Sequence, residues 1–132
     1  MKYPLCFTEN VVTQTCKVTV PDLPGCEVSS ESMDEAFNDI KMVIENHLKI
    51  LSEYGEPIPQ GNKISDHQKN IMDVVWGLIE IDITPYLGRS HKINVTLPEL
   101  LIKQIDDRVS KSHEHKTRSG FIADACIKLL LK

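Results

Sequence analysis

The sequence predicts an α+β protein in two parts: a small antiparallel sheet with one long helix, and then a strand–helix–helix tail. Three observations support this. Strand-like segments lie on both sides of a capped, one-sided helix pattern in residues 1–83. Residues 91–96 alternate polar and apolar side chains, after which the spacing becomes helical. A tail with one lone strand cannot bury its own apolar face, so we expect it to need a second copy whose strand pairs with its own.

Two strands and a short third open the first part. Tyr3–Phe7 and Thr15–Val20 are rich in β-branched and aromatic residues and are joined by the polar turn Thr8–Gln14. The segment Pro21–Gly25 is a loop, because its prolines lack a backbone donor and its glycine permits positive φ. Cys26–Ser29 is predicted to be a short third strand.

A long helix follows these strands. Ser32 and Glu35 have the S-x-x-E spacing of a capping box, and Gly55 and Pro57 end the helical pattern. The residues expected on its apolar face are Met33, Ala36, Phe37, Ile40, Val43, Ile44, Leu48 and Leu51.

The first part ends with a loop and a strand. Residues 55–66 contain the prolines and glycines of a loop, and the strand is predicted at Val74–Ile83 because Ile79, Ile81 and Ile83 alternate with acids. Residues 84–90 are predicted to link the first domain, 1–83, to a second domain, 91–132.

The tail resembles the ribbon-helix-helix family of DNA-binding proteins. The resemblance lies in the alternating entry K-I-N-V-T-L-P-E-L-L and in the opening T-R-S-G-F-I of the last helix. It implies that two chains pair their strands into a ribbon that enters the major groove. The residues predicted to form the dimer core are Ile93, Val95, Leu101, Ile105, Phe121, Ile122 and Ala125.

The polar face of the ribbon is the predicted base-reading surface. Lys92, Asn94 and Thr96 carry donors and acceptors suited to base edges, and Asn can contact adenine through two hydrogen bonds. The start of the last helix, with Thr117 as N-cap, offers free amides and positive charge to a DNA phosphate. The predicted phosphate-binding residues are Lys116, Thr117, Arg118, Ser119 and Gly120.

Charge is divided unevenly along the chain. Residues 1–88 carry 6 Lys and Arg against 14 Asp and Glu, a net charge of −8, whereas residues 89–132 carry 9 against 5, a net charge of +4. A basic tail suits DNA, and an acidic first part suits a basic partner.

The first part resembles the front domain of HicB-type antitoxins. The motifs are V-T-V-P-D-L-P-G-C, then S-M-D-E-A at the helix start, then G-E-P-I-P. The resemblance implies a partial ribonuclease-H-like domain that binds and neutralises a small mRNA-cleaving HicA-type toxin, in a protein that also represses its own operon. It also implies a homodimer through the tail, and a higher oligomer remains open. The alternative is a ribbon-helix-helix regulator whose front domain senses a small molecule, for which a deep apolar pocket would be the sign.

No enzymatic centre, metal site or cofactor is predicted. The carboxylates Asp22, Glu27, Asp34, Glu35 and Asp39 could suggest a metal-dependent nuclease, but helix-start and turn positions account for them. His113 and His115 are expected in a solvated turn. The four cysteines show no C-x-x-C pair, so reduced thiols are expected. With no signal peptide and no apolar run of membrane length, we expect a cytoplasmic protein.

Overall fold

The chain divides into two compact units. The computed structural model describes residues 1–131; the first unit is Met1–Arg89, and the second begins at Ser90. A 3-10 turn at Thr84–Tyr86 packs against the long helix of the first unit, so most of the segment predicted as a linker, 84–90, belongs to that unit.

The first unit contains a four-stranded antiparallel sheet. Its strands are β1 (Lys2–Asn10), β2 (Thr15–Thr19), β3 (Glu27–Ser30) and β4 (Val75–Glu80), in the spatial order β3-β2-β1-β4. The prediction of a small antiparallel sheet is confirmed. β1 runs further than predicted because its pairing with β2 continues to the end of the hairpin, so the connecting turn shortens to residues 11–14.

The long helix α1 (Met33–Glu53) crosses this unit, as predicted. The Ser32 hydroxyl accepts a hydrogen bond from the Glu35 amide at 3.1 Å, which satisfies one free donor of the first turn. At the other end Gly55 has φ +69° and its amide bonds the Ser52 carbonyl, a helix-ending geometry that glycine adopts without strain. The fully buried helix residues are Ala36, Ile40, Ile44 and Leu48.

The core lies between α1 and the sheet. Alternation in the last strand region is confirmed, because Ile79, Ile81 and Ile83 are buried while Glu80 and Asp82 are exposed. The buried residues contributed by the first two strands and the loop after them are Tyr3, Pro4, Leu5, Cys6, Phe7, Cys16, Val18, Val20, Leu23 and Cys26.

A short helix, α2 (Ile64–Gln68), was not predicted, since the sequence suggested a loop as far as Asp66. The segment before it lies against β1. The Tyr3 hydroxyl donates to the Pro59 carbonyl oxygen at 2.7 Å. Gly61 lies so close to the Lys2 carbonyl that a Cβ there would overlap it. This segment is therefore fixed to the first strand.

The second unit has two helices, α3 (Glu99–Lys111) and α4 (Arg118–Leu130), as its sequence pattern predicts. Residues 91–98 form no strand within the described single chain, and Ile93 and Val95 are 78% and 61% exposed. A strand needs a neighbouring strand for its backbone hydrogen bonds, so pairing in a dimer stays a prediction. Within residues 1–131, no helix is both long and apolar enough to cross a membrane.

Candidate functional site

The polar face predicted to read bases is open to solvent. Lys92, Asn94 and Thr96 are all exposed. The apolar side chains between them are also exposed in the single chain, so this segment has side chains of both kinds free for contact. A partner that covers Ile93 and Val95 would leave the polar face as the outer surface.

The start of α4 differs in one respect from the predicted phosphate site. Thr117 is the N-cap as expected, but its hydroxyl accepts a hydrogen bond from the Gly120 amide at 3.0 Å. That amide is therefore not free as predicted, and phosphate binding by Gly120 stays a prediction. The amides of Arg118 and Ser119 remain as the candidates, beside the exposed Lys116.

Arg118 is also engaged within the unit. Its guanidinium donates two hydrogen bonds to Asp106 of α3, Nε to Oδ1 at 2.9 Å and Nη2 to Oδ2 at 2.7 Å. This two-point contact lowers the pKa of the Asp106 carboxyl and raises the pKa of Arg118. The Arg118 guanidinium is therefore paired within the single chain, and its binding to a DNA phosphate stays a prediction. Asp106 was not identified from the sequence, because it lies twelve positions before its partner.

The residues predicted to form the dimer core are only partly buried in one chain. Ile105 is buried between the helices, while Leu101 and Ala125 are exposed and Phe121 and Ile122 are half-buried. A groove of about 390 Å³ lies beside them, and its lining residues are Leu101, Gln104, Ile105, Asp107, Arg108 and Phe121. These faces have apolar surface that a second copy can cover.

His115 is not solvated, in contrast to the prediction. Its side chain is 17% exposed, its Nε2 lies 3.4 Å from Asp124 Oδ2, and its ring meets the edge of Phe121 at 5.4 Å between centroids. His113 is exposed as expected. Among residues 1–131 no group of three or more His, Cys, Asp or Glu side chains is arranged to hold a metal ion.

In the first unit, Asp22 joins two loops that are distant in sequence. Its side chain is 2% exposed and accepts from the Asn62 amide at 3.0 Å and the Asn62 Nδ2 at 2.6 Å. His67 Nε2 lies 3.0 Å from the same carboxylate, and the His67 ring stacks on Trp76 at 6.2 Å. Asp22 thus fixes the segment that follows G-E-P-I-P to the P-D-L-P-G-C loop. From the sequence Asp22 has only a turn role, since no local pattern points to residues forty or more positions away.

The other carboxylates of the predicted acidic zone have separate and ordinary partners. Glu27 pairs with Lys17 at 3.3 Å, and Asp39 accepts from the Ser30 hydroxyl at 2.9 Å. Asp34 and Glu35 lie in the first turn of α1, where they oppose the helix dipole. They do not converge with Asp22 on one point.

Two cavities of the first unit lie at the end of the β1–β2 hairpin. Two open grooves of about 330 and 450 Å³ share the lining residues Glu9, Asn10, Val11 and Thr15. Their walls are mostly polar, unlike the deep apolar pocket expected of a small-molecule sensor. The thiols of Cys6, Cys16 and Cys26 are buried and free, and burial raises the pKa of each. Cys126 is free and exposed.

Comparison with known proteins agrees with this architecture. A family model described as the HicB-like antitoxin of bacterial toxin–antitoxin systems matches residues 3–126. A protein of Haemophilus phage HP1, described as an uncharacterized 14.9 kDa protein in the rep-hol intergenic region, is 32% identical over 133 residues, covering 99% of this chain and 98% of the phage protein.

Solved structures show the same similarity. The crystal structure of the Burkholderia pseudomallei antitoxin HicB has a TM-score of 0.76 and 30% identity, over 98% of both chains. A chain of a HicA3–HicB3 toxin–antitoxin complex has a TM-score of 0.50 and 21% identity over 62% of this chain and 99% of that one, a likeness of fold alone. With the family model spanning nearly the whole sequence, the chain belongs to the HicB-like antitoxin family of bacterial toxin–antitoxin systems.

Proposed function

We propose that this chain binds and neutralises a small, basic, mRNA-cleaving HicA-type toxin in the cytoplasm, and that it represses its own operon by binding DNA. Membership of the antitoxin family carries the first half of the proposal. The net charge of −8 over residues 1–88 supports it, because an acidic domain attracts a basic RNA-binding protein. The toxin is bound by protein contact, and the chain performs no catalysis.

Co-purification tests the toxin assignment directly. The chain isolated from its native host should carry a small basic protein in stoichiometric amount. Co-expression of the chain should restore growth to cells that produce that small basic protein. Since opposite charges steer the encounter, the association rate should fall steeply as ionic strength rises. Isolation without such a partner, and no protection in co-expression, would contradict the assignment.

DNA binding is assigned to the second unit. The exposed Lys92, Asn94 and Thr96 and the net charge of +4 over residues 89–132 support it. We infer that two chains pair residues 91–96 into a ribbon, with Asn94 near the two-fold axis and Lys116 beside the phosphate backbone of the DNA. The proposed homodimer uses the apolar side chains that are exposed in the single chain, among them Ile93 and Val95.

Two substitutions separate base reading from phosphate contact. Asn94→Ala should cost about 1–3 kcal/mol on operator DNA and little on random DNA, because it removes contacts to base edges. Lys116→Ala should weaken binding to operator and random DNA alike, and should reduce the salt dependence of that binding by about one unit per contact. Binding is measured on operator and scrambled duplexes at two salt concentrations. Equal weakening of both duplexes by Asn94→Ala would show that the ribbon does not read sequence.

The two activities should be separable in the full chain. A variant that combines Asn94→Ala with Lys116→Ala should lose repression of a reporter while it still protects cells from the toxin. Loss of both activities in a folded variant would contradict the division of labour between the units. The second candidate function, a regulator with a small-molecule sensor, receives no support from the polar grooves at the hairpin.

A further inference from the structure

Arg118 is the first residue of α4, and its side chain reaches across to α3. The guanidinium donates from Nε to Asp106 Oδ1 at 2.9 Å and from Nη2 to Asp106 Oδ2 at 2.7 Å. Both carboxylate oxygens are therefore bonded along one edge of the planar guanidinium. This parallel, two-point geometry is the one that arginine uses for carboxylates and phosphates alike.

Asp106 occupies the edge of Arg118 through which a phosphate would make the same contact. A carboxylate and a phosphate each present two oxygens to Nε and Nη2, so the two ligands cannot be bound there together. Hydrogen bonding to Arg118 lowers the pKa of the Asp106 carboxyl, so this acid is charged at neutral pH. The other N–H groups of the guanidinium stay open, but the adjacent negative charge offsets their attraction for a phosphate.

The contact made by Asp106 differs from the other helix ion pairs of this unit. Each of those pairs joins an acid to a lysine four positions later on the same helix, which is a common surface arrangement. They are Glu99 with Lys103, Asp107 with Lys111 and Asp124 with Lys128. Asp106 instead bonds across from α3 to the residue that opens α4, beside the residues proposed to contact DNA.

The pair is accessible to solvent, so another anion can replace the carboxylate. The side chains of Arg118 and Asp106 are 54% and 48% exposed. An ion pair this open contributes little to stability, because water and salt compete with it. A phosphate at the start of α4 would compete in the same way, with the helix-start amides and the exposed Lys116 as its other candidate ligands.

We propose that Asp106 is an internal competitor of DNA phosphate for Arg118, an autoinhibitory contact that lowers the affinity of the second unit for DNA. In the free chain Asp106 occupies the guanidinium, and on DNA the guanidinium leaves the carboxylate for a phosphate. This role rests on the proposed DNA-binding function and adds a means of limiting it. Because phosphate contacts carry no sequence information, the competition acts on operator and unrelated DNA alike.

A double-mutant cycle in the full chain tests the competition, with a scrambled DNA duplex as the probe so that base reading plays no part. Asp106→Asn keeps the shape of the side chain and removes its charge. It should raise the affinity for the duplex by about threefold to fivefold per subunit, because an exposed ion pair changes an equilibrium by up to about fivefold. Arg118→Ala should bind the duplex more weakly than the wild type. Adding Asp106→Asn to Arg118→Ala should then change the affinity by less than about twofold, since no guanidinium remains to be released.

The cycle separates competition for Arg118 from a general effect of charge. If the loss of any acid near DNA were sufficient, Asp106→Asn would raise the affinity equally with and without Arg118, and that result would overturn the proposal. Weaker binding by Asp106→Asn would also overturn it, because Asp106 would then be a residue that positions Arg118 for the phosphate. Asp106→Ser replaces Asp106→Asn in the cycle if the latter loses its helix signal in circular dichroism.

The same measurements distinguish failure of this proposal from failure of the DNA-binding function. If the wild-type chain binds the duplex and Asp106→Asn binds it with unchanged affinity, the competition is wrong and the DNA-binding function stands. If the wild-type chain and every variant bind neither operator nor scrambled duplex, the DNA-binding function is wrong, and the competition with it.

Discussion

Replacing Asp22 with Ala should destabilise the first unit more than any other single change to an acid there. The carboxylate is almost fully buried and accepts two hydrogen bonds from Asn62, with His67 at 3.0 Å from it. A hydrogen bond to a charged group contributes about 1.5–3 kcal/mol, and the two made by the exposed Asn62 are at the low end. Since the partners regain water when the acid is lost, we expect a net cost of about 2–4 kcal/mol.

The single tryptophan makes this measurable in the full chain. Trp76 lies in the first unit and stacks on His67, so its fluorescence during guanidinium unfolding reports on that unit alone. With a slope of about 2 kcal/mol per molar, the midpoint should fall by roughly 1–2 M. The matched control is Asp39→Ala, which removes an exposed acid with one hydrogen bond and should cost less than about 1 kcal/mol. Equal midpoints for the two variants would refute the role assigned to Asp22.

Three further changes test other contacts. Tyr3→Phe removes the donor to Pro59 and should cost about 1–2 kcal/mol in the same unfolding assay. Burial, and then the charge of Asp22, raise the pKa of Tyr3 to about 12. The neutral phenol therefore stabilises the wild type fully below pH 10.0, and this contribution is lost as pH rises through about 12. In Tyr3→Phe, the free energy of unfolding should fall less over this alkaline range. Asp106→Asn frees Arg118 and should raise the affinity for operator and random DNA alike, with a salt dependence of binding steeper by about one unit per subunit. The control Asp107→Asn loosens only the pair with Lys111 and should leave DNA binding unchanged. Equal effects of the two substitutions would contradict the specific role of Asp106. The pKa of Asp106 is lowered by its hydrogen bonds to Arg118, so the pair should persist at neutral pH and be lost only as pH falls through that lowered value. The change in the chemical shift of the Asp106 carboxyl carbon with pH, followed by NMR, measures this.

Local chemistry made most of the first unit predictable. Ser32 and Gly55 define the ends of α1 through their own backbone preferences, and the alternation of Ile79, Ile81 and Ile83 needs no distant partner to be recognised. The short helix α2 was not predicted from the sequence, because five residues are too few to show a helical period. What holds its segment in place is a contact with Asp22, across a separation in sequence that pattern reading does not reach.

The sequence indicates which residues of the second unit are candidates for DNA contact, but it does not indicate which of them bond to one another. Thr117 was identified as an N-cap because Thr at that position has one characteristic hydrogen bond, and the same bond uses the Gly120 amide that was assigned to phosphate. The Arg118–Asp106 contact depends on how α3 packs on α4, which helix periodicity does not specify. The strand predicted at residues 91–96 would need a second chain for its backbone hydrogen bonds, and one chain alone does not form it.

Gly61 restricts which sequences this fold tolerates. Its backbone lies against the Lys2 carbonyl with no room for a Cβ, so even Ala would push the segment away from β1. Such a shift would strain the Tyr3–Pro59 and Asp22–Asn62 hydrogen bonds together, because both join the same short segment to the rest of the unit. In a saturation library selected for stable protein, position 61 should therefore retain glycine alone, although the residue is neither in the hydrophobic core nor in the proposed DNA-binding surface.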